Sequence, residues 1–255
     1  MISLNWLPET AYIYLVIFAR VGSMLMLIPA LGEATIPARM RLTFALVFCA
    51  VLFPLVSSEI PPLADNLFGV LAVMLYEIAI GLVFGAIARL SVTGTATAGA
   101  VIAQAAGISL AQAADPVNGG AQGALIGAFL GMLGVALIFA TDLHHVALSA
   151  IHDSYMVFSP SMPLMIGDAA QTMVDVVAGA FVIGVQMSAP FIVFSLVFNL
   201  GMGILSRLMP QLQVFFIAMP ATVGVGLVLM ALLLTMMMGL YLTHYEGVLA
   251  TLRGV

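Results

Sequence analysis

The sequence predicts an all-α polytopic membrane protein, and three observations carry that prediction. Of its 255 residues 64% are apolar and only 7% are charged, whereas a soluble domain carries about 25% charge. The mean hydropathy is +1.24, which leaves too little polar surface to cover a globule in water and excludes a disordered chain. Uncharged apolar runs of helical length recur from end to end. The formal net charge of −5 rests on six arginines and eleven acids, too few to define a partner. No basic cluster is present, so no nucleic-acid partner is expected. A single cysteine, Cys49, excludes an internal disulfide and a cysteine-built metal site. Lysine is absent, so there is neither a Schiff-base lysine nor a P-loop lysine.

The opening residues MISLNWLPET have no basic n-region and do not read as a signal peptide. The first span runs from about Ala11 to Leu31, interrupted only by Arg20. The polar stretch GEATIPARMR follows, then a second span over 42–58, a Pro-containing turn SSEIPPLADN, and a third span over 67–88. Residues 90–114 are uncharged but only weakly apolar, and 122–141 is strongly apolar. Four acids, three histidines and two prolines mark 142–175 as a polar connector holding a short amphipathic helix. The runs 176–206 and 208–243 are longer than a span needs, since about 20 residues cross roughly 30 Å of hydrocarbon. Each contains a proline, Pro190 or Pro220, so broken or hairpinned helices are expected there, packed against protein rather than lipid. With simple alternation Arg39, Arg41, Arg89 and Arg253 share one side and Arg207 lies opposite. The positive-inside rule makes the arginine-rich side cytoplasmic and the N-terminus external.

Several features stand out as candidates for function. Gly119, Gly123, Gly127 and Gly131 recur every four residues, a face that lets another helix approach closely. Packing within this chain and packing against a second subunit both fit. The segment 105–123 is small, polar and turn-forming, with Asp115-Pro116 and Asn118-Gly119-Gly120 in sequence. It reads either as an exposed loop or as a segment lining or closing a pathway. Arg20 and Glu77 are ions inside spans of opposite charge, the pattern of a buried pair or a polar subunit contact. Asp142, His144, His145 and His152 form the sole acid–histidine cluster. Adjacent His144 and His145 are expected on different helix faces, so a hydrogen-bonded interfacial role is expected and no metal site. Eighteen methionines, including the run Met236–Met238, either face lipid or form a compliant seal. No nucleotide, flavin or haem motif and no nucleophile–base arrangement is visible, so neither a cofactor nor an enzyme is expected. A secondary transporter would show an internal repeat and a small-molecule site, and neither is evident. An intramembrane enzyme would need a paired catalytic set within its spans.

Four stretches, in order, resemble one family. LSRLMPQLQVFFIAMP (205–220) is similar to the SR-x-x-P-Q-x-x-VF…P signature of the FliR/SctT proteins, on Arg207, Pro210, Gln211, Phe215 and Pro220. FARVGSMLMLIPALGEATIPARMRL (18–42) resembles that family's opening, and Gly107, Ser109 and Asp115-Pro116 its G-x-S…DP loop. TDLHHVALSAIHDSYMVFSP (141–160) resembles the LHH-x-x-L…SY…P segment, on His144, His145 and Tyr155. Where family loops often carry aromatic residues this chain has Leu110, Ala111, Gln112 and Ala113. The resemblance spans essentially the whole chain. It implies a subunit of the helical type III export gate in the bacterial inner membrane, at the flagellar basal body or, alternatively, in a virulence injectisome. It implies FliP-like and FliQ-like partner subunits, an FlhB-like switch protein and unfolded substrates. It further implies a single 1–255 domain whose 1–175 part is FliP-like and whose 176–255 part is a FliQ-like hairpin. Finally, it implies that the loop around Gly107, Ile108, Ser109, Leu110, Gln112, Asp115, Pro116, Asn118, Gly119 and Gly120 plugs the pore, with energy drawn from partners or the proton-motive force.

Overall fold

In the computed structural model the described residues are 7–33, 36–63, 66–108, 123–158, 166–209 and 214–253. Among the described residues eight α-helices follow one another: α1 (Leu7–Leu27), α2 (Ala38–Val56), α3 (Leu67–Ser91), α4 (Gly94–Ala105), α5 (Gly123–Ala140), α6 (Leu143–Val157), α7 (Ile166–Leu208) and α8 (Val214–Leu252). A 3-10 turn at Ser57–Glu59 closes α2, and no strand occurs among the described residues. The class is therefore all-α. Among the described residues five helical stretches are long and apolar enough to cross a membrane, or six with α5 and α6 taken as one bent span, so the protein is multi-pass.

The chain divides into two compact units. The first comprises 1–91, 138–176 and 245–255. In it α1 packs on α3 and α2, burying Val16, Ile17, Met24 and Ile80. The α1–α3 crossing is close because α3 presents glycine there. A Cβ on Gly81 would lie 2.5 Å from the Arg20 carbonyl oxygen, and one on Gly85 would lie 2.7 Å from Leu27 Cβ. Glu77, Gly81 and Gly85 are spaced by four and so form one stripe on α3. On α2 the buried stripe is Ala45, Cys49, Leu52 and Val56, while Phe44, Val47, Val51 and Leu55 face outward.

The second unit comprises 92–137 and 177–244. Its centre is the short helix α4, met by three neighbours at glycine crossings. Gly99 meets Gly127 of α5 so closely that a Cβ would sit 2.2 Å from the Gly127 backbone. Gly94 lies under the Ala180 carbonyl of α7, at 2.6 Å from a built Cβ. Gly226 of α8 rests on Ala106, just past α4, at 2.5 Å. Gly134 of α5 makes room for the Tyr241 ring of α8. Without water as a driving force, membrane helices associate by such close backbone contact.

Two expectations are corrected, on the prolines and on the connector, and the run 90–114 is defined. The prolines do not break the long helices: α7 runs unbroken through Pro190 and α8 through Pro220. Each proline deletes one backbone donor, but in an apolar surround the remaining carbonyls have no better partner than their own helix. The weakly apolar run 90–114 holds a helix of only 12 residues, α4. It ends where Gly107 adopts φ +70°, the left-handed stop that glycine takes most readily. The connector 142–175 is largely helical, because α6 is 15 residues long and α7 begins at Ile166.

Candidate functional site

Two sites deserve description, one in each unit. In the first, Arg20 of α1 and Glu77 of α3 meet as a fully buried bidentate pair, each 0% exposed. Arg20 Nη2 donates to Glu77 Oε1 at 3.0 Å while Nε donates to Oε2. Arg20 Nη1 also donates to the Ser154 carbonyl, and Nη2 to the Phe158 carbonyl, both at 3.0 Å. The Ser154 carbonyl also accepts from the Phe158 N–H that caps α6, the Phe158 carbonyl lies just past the helix end, and a cation at a helix C-terminus is favourable. The guanidinium carbon lies 4.1 Å from the centre of the Tyr155 ring, a cation–π contact. Phe158 packs edge-on against Phe84, with ring centres 5.4 Å apart. One arginine therefore joins α1, α3 and α6, and Tyr155 of the SY motif belongs to the same cluster. The sequence presented Arg20 and Glu77 as a pair but gave no sign of the α6 carbonyls.

The second unit holds a cavity of about 270 Å³ between α4, α7 and α8. Its polar lining is Gln104, Ser195, Asn199, Ser206 and Thr222, set among Phe198, Met202, Met219 and glycines 107 and 203. The hydroxyls of Ser206 and Thr222 donate to their own helices, at the Gly203 and Ala218 carbonyls, and Asn199 Nδ2 donates to Ser195 Oγ at 3.1 Å. Their oxygens keep lone pairs that can accept. The wall is thus apolar with scattered hydrogen-bonding groups and carries no charged residue. No nucleophile–base pair lies in it.

Gly107 and Ile108 are at the end of α4, with Gly107 facing Thr222 at 3.4 Å from a built Cβ. Ser109, Leu110, Gln112, Asp115, Pro116, Asn118, Gly119 and Gly120 lie outside the described residues, as do Pro210 and Gln211. Gly123 opens α5; Gly127 and Gly131 face Ala96 and Thr95 of α4. Arg207 is exposed in the last turn of α7, and Phe215 and Pro220 fall in the first turns of α8. His152 Nδ1 lies 3.2 Å from Asp153, which also accepts from Arg253 Nε at 2.7 Å. His144 and His145, expected on different faces, have ring centres only 4.0 Å apart. That correction has a local cause: both sit in the first turn of α6, where side chains are least constrained by preceding turns.

Sequence reasoning missed the Arg89–Glu33 and Arg253–Asp153 ion pairs, each joining positions distant in the chain. It also missed the α3 glycines, although the four-residue spacing from Glu77 to Gly81 to Gly85 was a visible signal.

Residues 11–248 match the bacterial export proteins, family 1. The chain belongs to that family. It is 42% identical over 238 residues to the flagellar biosynthetic protein FliR of Caulobacter vibrioides, covering 93% of this chain and 94% of that one. It is 26% identical to the proteins of the same name from Bacillus subtilis and Escherichia coli, covering 95% and 91% of this chain and 93% and 86% of theirs. Family membership accounts for the pattern of apolar helices, and it puts the cavity and the Arg20 cluster within a protein of the export class.

Proposed function

We propose that this chain is a non-enzymatic pore and gate subunit of the flagellar protein export apparatus in the bacterial inner membrane. The observation that carries this reading is the mismatch between helix length and bilayer thickness. α7 has 43 residues and α8 has 39, about 65 and 59 Å at a rise of 1.5 Å, against roughly 30 Å of hydrocarbon. α7 exposes Val174, Phe181, Val193, Leu196, Leu200, Ile204 and Leu208 along that length. One bilayer cannot cover so long an apolar face, and other apolar protein can. The partners are FliP-like and FliQ-like subunits and an FlhB-like switch protein, and the cargo is unfolded flagellar protein. The flagellar names of the relatives favour this system over the injectisome.

Within this reading the cavity wall is suited to a moving chain. Scattered acceptors in an apolar, uncharged surround offer no tight site for any one side chain. The loop 106–120 is part of the plug, and the 1–175 and 176–255 parts play FliP-like and FliQ-like roles.

Two experiments test the proposal. Mild-detergent purification from native membranes followed by native mass spectrometry is expected to give one heavy complex, with two other small hydrophobic proteins in fixed ratio. A lone monomer or homodimer overturns it. Deleting residues 110–120 is expected to leave assembly intact while making cells permeable to small solutes; unchanged permeability removes the plug role.

A further inference from the structure

We propose that Asp142, His144 and His145 form a binding site for a divalent transition metal of the zinc class. One potential ligand atom from each of the three residues lies within 4.8 Å of the other two. The carboxylate oxygen of Asp142 and Nδ1 of His145 are 3.6 Å apart, close to the separation of two ligands sharing one tetrahedral ion at about 2.0–2.1 Å. The His144 ring centre lies 4.0 Å from that of His145 and 5.1 Å from that of Phe139.

Beyond the contact between Asp142 and His145, these side chains make no hydrogen bond among the described residues. An aspartate before a helix ordinarily accepts from the first backbone N–H groups; Asp142 makes no such bond, and its backbone is left-handed at φ 60°. His144 Nδ1 is buried without a hydrogen-bond partner. Asp142 and His145 are 79% and 69% exposed in their side chains, so no described residue of this chain bars an ion from them. The helix N-terminus opposes a cation with roughly half a positive charge, and the full negative charge of Asp142 outweighs it.

Two imidazoles and one carboxylate favour zinc, copper, nickel or cobalt over magnesium or calcium. Three protein ligands leave a coordination position for water or for a group from another subunit. Bound metal would tie the break at residues 141–142 to the first turn of α6 and so fix the path between α5 and α6.

The test uses the full chain in its native complex, purified on a tag without histidine, stripped with chelator and titrated with Zn²⁺ against a fluorescent competitor. The expected result is one equivalent of Zn²⁺ per chain more than in the combined variant Asp142→Asn, His144→Asn, His145→Asn. His152→Asn is expected to bind as the unaltered chain does. Equal binding by the unaltered chain and the triple variant overturns the site.

Discussion

Arg20 and Glu77 show how an ion is kept in a membrane-embedded core. Each is fully buried, and burial of a single unpaired charge is prohibitive, so the two survive only together and with their remaining donors used. Arg20 has three acceptor groups, the Glu77 carboxylate and the Ser154 and Phe158 carbonyls. Removing one partner is therefore worse than removing both. Glu77→Ala is expected to destabilise the purified chain by about 3–5 kcal/mol, seen as a lower thermal midpoint in detergent. Adding Arg20→Met to that variant is expected to recover part of the loss. A double variant no more stable than Glu77→Ala would mean that the α6 carbonyls, rather than the ion pair, dominate the cluster. This pair was legible in the sequence because any charge in an apolar run needs a partner. Its attachment to α6 was not, because a backbone carbonyl leaves no trace in residue identity.

At the scale of elements, the glycines decide which helices touch. Gly127 already puts a built Cβ 3.2 Å from Ala96 Cα, so any larger side chain must push α4 and α5 apart. Gly127→Leu is expected to cost about 1–3 kcal/mol and to lower the thermal midpoint of the chain purified alone. Gly201, which has open space around it, is the control: Gly201→Leu is expected to leave that midpoint unchanged. Of the stripe 119–123–127–131, Gly127 and Gly131 meet α4; the spacing did not say which helix they would meet, because small residues specify closeness and not identity. Element boundaries followed charge-free runs well for α1, α2 and α3. They failed at α4, whose end is set by the conformation of Gly107 rather than by polarity. They failed again at Pro190 and Pro220, where the rule for helices in water was carried into a surround that offers the backbone no alternative partner.

At the scale of the whole molecule, the exposed apolar surface is the dominant fact. α2, α7 and α8 present long rows of large side chains outward, and a monomer rarely leaves such contiguous area uncovered. Expressed without its partners, the chain is expected to purify folded but self-associated, spread over several sizes on size exclusion. Co-expression with the proposed FliP-like and FliQ-like subunits is expected to shift it to a single species on size exclusion. A sharp monomer peak without partners would mean that lipid and detergent suffice to cover these helices. The multi-pass class was legible from composition alone. The division into two units was not, since each unit gathers segments from separate parts of the chain.

Cys49 is the lone thiol of the chain and is 0% exposed on the inner stripe of α2. The native protein is therefore a quiet background for sulfhydryl chemistry, and no cysteine has to be engineered out before others are engineered in. A cysteine at Met40, 64% exposed and flanked by Arg39 and Arg41, would report which face of the membrane holds the arginine-rich ends. An impermeant maleimide is expected to modify Met40→Cys in inverted vesicles and to spare it in intact spheroplasts, with the reverse pattern turning the chain over.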